Sequence, residues 1–433
     1  MQFISIISNP SISGLDKLIG TLINSFGSVV LGIVIFTLAL KLLTFPFDYM
    51  SRASMRRTSL KMKEMRPELE RLQQQYKNNK QLYQQKVMAL QKKEGMNMFK
   101  SCLPTILTLV IFIVVLSSFN SYSTYQNQKD IYDMAVSYNS VIIDAFDVDG
   151  EYVKKESNGK QTVINIDALK AIANDTDANV NNGLITGLTN QNGESFELKF
   201  VKDGNNYKFT TTNSYVSYTY VVDLANNSVT AGSFSAEESN FSTEMKADFD
   251  AYKTVKTTAT ANDYLTELQR NSANQTYLDE RQGFLWIKNV WKPDRVDESA
   301  IITDKNVIEK VISYANYEEI SKNVADESNG WYVIIALNIL VTFLSQWVMK
   351  KTQKDQLELQ SADGQAMGTQ KMMMWMMPIM MAVFSFIYTA AFSVYIILST
   401  AFSILSSLLI NKIVDIKYNK EQDKKTENIV RRG

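Results

Sequence analysis

Long apolar runs alternate with long polar stretches along this chain. From Leu18 to Leu40 no residue is charged, and apart from Lys41 the apolar character continues to Phe47. Cys102 to Phe119 and Trp331 to Met349 are further runs, and Met372 to Asn411 continues for 40 residues without a charge. A hydrocarbon core about 30 Å thick needs roughly 20 apolar residues of helix to cross it. As one helix the last run would reach about 60 Å, so it reads as two spans with a turn near Tyr388 to Ser393. The pattern predicts an α-helical integral membrane protein with five transmembrane helices, at 23–47, 101–119, 331–349, 372–390 and 393–411.

The polar stretches divide by charge. Residues 48–100 carry 13 basic and 5 acidic residues, whereas 120–330 carry 19 basic and 32 acidic ones. Residues 350–371 have 4 basic against 3 acidic, and the tail 412–433 has 7 against 4. Basic loops stay on the cytoplasmic side. The N-terminus is therefore expected outside, 48–100, 350–371 and 412–433 in the cytoplasm, and 120–330 outside. An odd number of crossings is required, and five satisfies it.

Between residues 12 and 26 the apolar positions Leu15, Leu18, Ile19, Leu22, Ile23 and Phe26 fall on one helical face. That predicts an external amphipathic helix within residues 1–22, lying in the membrane interface; a longer first span is the alternative. Residues 1–22 lack the basic start and cleavage site of a conventional signal peptide. In 48–100 the seam Met62, Met65, Leu69, Leu72, Tyr76, then Tyr83, Val87 and Leu90 across Asn78-Asn79, predicts an antiparallel helical hairpin. Pro67 predicts a kink or a helix start inside it. Its basic faces suit anionic membrane lipids or ribosomal RNA, or are solvated surface.

The insert 120–330 is too long for a loop and must carry its own fold. Phe196, Leu198 and Phe200 alternate with Glu197 and Lys199, and Asp203-Gly204-Asn205-Asn206 supplies a turn into a return strand at Tyr207 to Thr212. Tyr215 to Val222 and Ser228 to Phe234 read as further strands, Lys246 to Leu268 and Val307 to Lys322 as helices. An α+β external domain is expected.

The chain has no His and one Cys, Cys102. Ser/His and Cys/His nucleophile pairs, His zinc sites and internal disulfides are excluded. With no Gly-rich phosphate loop either, neither an enzyme nor a cofactor is expected, and no feature points to DNA. Lys41 is the informative residue. It lies about 9 Å inside the cytoplasmic end of the first span, where a lysine needs water or a partner. No membrane carboxylate is expected to pair with it. Thr37 is one turn earlier on the same face. Other spans contribute Thr105 and Thr108, then Asn338, Thr342, Ser345 and Gln346, then Ser399, Thr400, Ser403, Ser406, Ser407 and Asn411. Converging, these would line a wet cavity reached from the cytoplasm; otherwise Lys41 snorkels to the interface and the hydroxyls join helices. The Met run at 372–374, 376, 377, 380 and 381 reads as an adaptable apolar surface or a lipid-facing helix end.

The order of parts resembles the YidC family of membrane protein insertases. The resemblance is carried by IVIFTLALKLLTFPF, the hairpin segments MRPELERLQQQYKNN and QQKVMALQKKEGMN, the opening CLPTIL, and by GFLWIKNVWKPD and KMMMWMMPIMM. It implies a bacterial plasma-membrane protein that inserts and folds nascent membrane protein clients, received from the ribosome alone or beside the Sec translocon. It further implies a hydrophilic groove open to cytoplasm and lipid. Lys41 stands where the family usually has Arg, with Thr37, Thr105, Thr108, Asn338, Gln346, Tyr395, Ser399 and Ser403 as further groove candidates. A transporter or channel with an external ligand-binding domain is the competing reading. The apolar outer halves of the spans favour the insertase.

Overall fold

The computed structural model describes residues 4–93, 98–143, 153–155, 162–164, 180–181, 184–189, 195–203, 206–213, 215–223, 228–352 and 365–430. The elements begin with α1 (Gly14–Asn24), α2 (Val29–Gln75), α3 (Lys80–Lys93) and α4 (Met98–Ile143). Among the described residues eight strands follow: β1 (Val153–Lys155), β2 (Thr162–Ile164), β3 (Val180–Asn181), β4 (Leu184–Thr189), β5 (Ser195–Asp203), β6 (Asn206–Asn213), β7 (Val216–Asp223) and β8 (Ser228–Ala236). The chain continues with α5 (Thr243–Val255), α6 (Ala261–Glu280), α7 (Lys305–Ile308), α8 (Tyr314–Ile320), α9 (Val333–Thr352), α10 (Gln365–Ile387) and α11 (Ala390–Val430). Two compact units result, and their boundary cuts α4 between Tyr125 and Gln126.

The first unit comprises Met1–Ser11, Gln126–Arg281 and Ile301–Asp326. Strands β3 to β8 form one antiparallel meander in sequence order, and β1 pairs with β2 separately. The predicted hairpin is present: Asp203 pairs with Asn206, and Phe200 with Phe209. The helix expected over Lys246 to Leu268 is instead two, α5 and α6. A capping box starts α6 afresh: Thr260 Oγ1 accepts from Asp263 N at 3.2 Å, and Asp263 Oδ2 accepts from Thr260 N at 2.8 Å. The helix expected over Val307 to Lys322 likewise splits into α7 and α8. Ser313 Oγ accepts from Asn316 N at 3.3 Å and caps the second piece. Ile131, Met134, Ala135 and Tyr138 of α4 pack with Ala273 and Tyr277 of α6, Ile308 and Ile320 in the main core. A smaller core gathers Val216, Phe241, Phe249, Tyr264 and Leu265.

The helix expected within residues 1–22 occupies only Gly14–Asn24. The segment before it is extended and belongs to the first unit. Ile4 exchanges hydrogen bonds with the Asn139 amide (2.8 and 2.9 Å), and Ile6 bridges Ile312. Burying Ile4 and Ile6 in that core outweighs any helical preference there.

The second unit comprises Ile12–Tyr125, Gln282–Ala300 and Glu327–Gly433. The chain breaks between α1 and α2, with Gly27 at φ 71°, so a longer first span is not what forms. Ile19 and Ile23 of α1 are buried, but Leu15, Leu18, Leu22 and Phe26 are exposed, which divides the predicted apolar face in two. Helix α2 runs 47 residues with both Pro46 and Pro67 inside it, so Pro67 does not start a helix. Tyr76 and Asn78-Asn79 do end it, and Asn79 Oδ1 accepts from Leu82 N at 3.1 Å at the start of α3. Met65 and Leu69 of the predicted seam are buried.

Val29–Thr58, Val333–Lys351 and Ala390–Lys417 are each long and apolar enough to cross a membrane, and Pro378–Ile387 is a shorter apolar helix. These mark a helical membrane protein. The predicted span at 101–119 lies in α4, but its side chains at 101–106, 108 and 109 lie outside the described residues, as do those of 372–374 and 377 in the predicted fourth span. The turn expected near Tyr388 to Ser393 is Tyr388-Thr389, between α10 and α11.

Candidate functional site

Helices α2 and α11 lie side by side and run parallel. Phe36 meets Tyr395 (ring centroids 6.1 Å apart), Lys41 meets Ser403, Arg52 meets Asn411 and Arg56 meets Asp415, so partner numbers rise together along both helices. On α11, Tyr395, Ser399, Ser403, Ser407 and Asn411 recur every four residues, so each lies one turn from the next along an oblique ridge of the helix. Ile410 and Val414 pack with Tyr49 and Ala53 to close the apolar part of the seam.

The polar part centres on Lys41. Its Nζ donates to Ser403 Oγ at 2.8 Å, and Ser403 Oγ donates to Ser399 O, also at 2.8 Å. The Tyr395 and Ser399 side chains hydrogen-bond one turn away. Lys41 is therefore turned onto the neighbouring helix rather than away from it. Thr37, one turn before it, is fully buried and donates to Ile33 O at 2.6 Å, a bond inside its own helix. Further along α2, Arg52 Nη1 donates to Asn411 Oδ1 at 3.2 Å, and Arg56 Nε lies 3.3 Å from Asp415 Oδ1.

Sequence reasoning missed Asp48. The expectation that no membrane carboxylate would pair with Lys41 left out Asp48, whose charge is near enough to act on both Lys41 and Arg52. Asp48 is seven residues beyond Lys41, two turns along the same face. Drawing the first span's end at residue 47 hid it, whereas α2 continues without interruption. Lys41, Asp48 and Arg52 make an alternating charge series along one helix.

A second polar cluster joins α9 and α10. Asn338, fully buried, donates its amide to Ser385 Oγ, and Thr342 Oγ1 donates to Asn338 O at 2.7 Å. Ser385 was absent from the sequence expectations, since a single hydroxyl in an apolar run carries no distinguishing signal. Gln346 is half-buried one turn beyond Thr342. The structure thus brings Lys41, Tyr395, Ser399 and Ser403 together, and Asn338 with Thr342 separately. The side chains of Thr105 and Thr108 lie outside the described residues. Of the Met run, Met376 is exposed beside Trp375, and Met380 and Met381 are half-buried.

One end of the seam is closed by aromatic packing. Phe119 contacts Phe36, Phe392 and Tyr395 with ring centroids 6.1, 5.9 and 5.5 Å apart. Phe112 reaches Phe392 and Phe384 at 6.1 and 6.3 Å. Above these, Ala390 N donates to Lys292 O and Ala391 N to Val290 O, so the loop 282–300 is laced to the α10–α11 turn. Trp291 is buried in the same core as Phe119 and Phe392. These edge-on and offset rings make an apolar cluster at that end.

The chain matches the family model of the 60Kd inner membrane protein over residues 21–143 and 266–419, more than half its length. It is similar to the membrane protein insertase YidC of Acidiphilium cryptum, with 35% identity over 106 residues, 24% of this chain and 16% of the relative. The YidC of Ruegeria is 38% identical over 88 residues, 20% of this chain and 14% of the relative. The YidC of Clostridium tetani is 36% identical over 89 residues, 21% of this chain and 39% of the relative. These matches thus span well under two thirds of the relatives' own length. No solved structure gives a significant match. The family match stops at 143 and resumes at 266, so it passes over β1 to β8 and α5 and takes in every described helix of the polar seam. On that coverage, which includes all of α2, α9 and α10 and most of α11, this chain belongs to the 60Kd inner membrane protein family.

Proposed function

We propose that this protein is a membrane protein insertase and chaperone, acting without a cofactor. One observation carries the reading: a lysine inside an apolar span is turned inward, onto the Ser403 hydroxyl of the neighbouring parallel helix. The hydroxyl does not cancel the charge, and with Asp48 two turns away the lysine can still attract a visiting anionic group. An acidic or polar client segment is drawn to Lys41, and the client's apolar helix meanwhile slides into lipid along the exposed faces of the neighbouring spans. Burying the client's apolar surface supplies the driving force. The groove is open to cytoplasm and lipid, with Thr37, Ser399, Ser403, Tyr395, Gln346, Asn338, Thr105 and Thr108 along it.

The five-span topology, with an external N-terminus and a cytoplasmic C-terminus, belongs to this reading. Parallel α2 and α11 support it, because two outside-to-inside crossings must run the same way. Residues 48–100 form the basic cytoplasmic hairpin, and 120–330 the external α+β domain. Clients arrive from the ribosome alone or beside the Sec translocon, with anionic lipids at the basic faces. A channel needs polar groups through both leaflets. The packed rings of Phe36, Phe112, Phe119, Phe392 and Tyr395 at one end argue against it.

A photo-reactive residue at Ser399 or Gln346 tests the proposal with stalled ribosomes carrying a single-span client. Crosslinks to the nascent chain at the lengths where its first apolar residues have emerged are the expected result. Absence of crosslinks at every length from both sites would remove the groove.

A further inference from the structure

Two non-glycine residues have positive φ among those described, Leu285 at 54° and Tyr332 at 60°. Both belong to one knot built on Asp294. Its Oδ1 accepts from Trp286 Nε1 at 3.2 Å and from Trp331 N at 2.8 Å, its Oδ2 accepts from Ile334 N at 2.6 Å, and its backbone O accepts from Tyr332 N at 3.2 Å. The carboxylate thereby caps the first turn of α9, an apolar span. The strain at Tyr332 is explained by this capping. That at Leu285 is not.

Leu285 and Trp286 are the central residues of a closed two-residue hairpin. Phe284 and Ile287 exchange both backbone hydrogen bonds at 2.9 Å. Such a turn favours Gly, Asn or Asp where φ is positive. Here the position holds leucine, 75% exposed, so its side chain contributes little to the protein's own core. Trp331, reached from the same carboxylate oxygen, is 64% exposed. From there exposed apolar side chains continue down α9 at Val333, Leu337, Leu340 and Leu344. Backbone strain persists where its surroundings over-determine it, and the exposed leucine offers an apolar side chain to whatever lies outside the fold.

We propose that the Leu285 tip and Trp331 seat in the lipid interface where α9 enters the bilayer, as a membrane anchor for the loop 282–300. The occupant follows from continuity. Asp294 ties the tip to the first turn of a span whose exposed face is already apolar, and tryptophan is the residue favoured at that level of a membrane. The anchor holds the loop that is laced to Ala390 and Ala391 over the aromatic end of the seam. The role requires only that α9 spans the membrane, and it is independent of the insertase mechanism.

The test uses the full chain in a Cys102→Ser background, reconstituted in phosphatidylcholine and phosphatidylglycerol vesicles. An environment-sensitive fluorophore is placed at Leu285→Cys and, in a second protein, at Trp331→Cys; Leu340→Cys serves as the deep-lipid reference. The expected result is a blue-shifted emission at both sites. Lipids spin-labelled near the head group should quench these labels at least two-fold more than lipids labelled near the chain end, the reverse of Leu340→Cys. An emission matching the dye's thiol adduct in water, with iodide quenching and no lipid quenching at 285, would overturn the proposal even if Trp331→Cys reports lipid.

Discussion

Lys41 Nζ and Ser403 Oγ, 362 positions apart in the chain, are joined by a 2.8 Å hydrogen bond between two parallel helices. The bond fixes which way a charged side chain points within an apolar span. Replacing Ser403 with alanine leaves Lys41 to find another partner. A hydrogen bond to a charged group contributes about 1.5 to 3 kcal/mol when dry and less when water can replace it, so we expect Ser403→Ala to lose about 1 kcal/mol of stability in detergent. Thermal unfolding checks this, and Ser403→Thr should restore the parent value.

In the proposed groove, Asp48 would temper the positive field that a client meets. Its carboxylate acts on Lys41 from two turns away and on Arg52 from about one. Neutralising it leaves two cations without their shared counter-charge, an effect on the order of 1 kcal/mol at the effective dielectric of a partly wet site. Asp48→Asn should favour acidic-tailed over basic-tailed clients several-fold more than the parent does. Insertion of a matched pair of clients differing only in tail charge measures the ratio, and an unchanged ratio counts against Asp48 as a counter-ion.

In the first unit, Asp130 titrates near neutrality. It is 5% exposed, and burial together with the nearby Asp133 and Glu280 carboxylates pushes it up to about 7, against the pull of Lys129. In the unfolded chain it ionises near 3.8. Between those values the folded state holds a proton that the unfolded state has released, so this contribution to stability falls as pH rises from about 4 to 7. Hydrogen exchange in α4 and α6, corrected for intrinsic rates, should show a unit more stable at pH 5 than at pH 8. Asp130→Asn should flatten that difference; an equal pH dependence in the variant would exclude Asp130 as its source.

Helix α1 is held by close approach. A Cβ on Gly32 would lie 1.7 Å from Ile23 O, and one on Gly20 would lie 1.9 Å from the Tyr122 ring, which is itself packed on Trp291. At Gly283 the nearest atom is 3.1 Å away. Overpacking costs about 1 to 3 kcal/mol. Gly32→Ala and Gly20→Ala should therefore lower the thermal midpoint by several degrees, and Gly283→Ala by less.

How much was legible before the fold was known depended on what kind of signal each element carries. The three long apolar helices, the hairpin turn at Asn78-Asn79 and the α10–α11 turn follow from hydropathy and from residues that cannot continue a helix. Lys41 was visible because a charge in an apolar run has no bland company. The breaks at Thr260 and Ser313 were missed, since a cap residue inside a plausible helical period is indistinguishable from a tolerated polar residue until its backbone partner is known. Ile4 and Ile6 were assigned to a membrane-interface segment because apolar residues next to an amphipathic stretch look like part of it. Only their pairing with Asn139 and Ile312 places them elsewhere. Ser385 and Asp48 became meaningful through neighbours distant in sequence or past an assumed boundary.

The central claim, that the Lys41 charge draws client segments into the seam, is tested most directly by complementation. Cells depleted of their own insertase are supplied with the parent protein or with Lys41→Glu, and insertion of a single-span client with an acidic tail is scored by protease protection. Reversing the charge should abolish insertion of this client, with Lys41→Arg close to the parent and the variant's expression and thermal midpoint retained. Insertion by Lys41→Glu at the parent's level would contradict the electrostatic account.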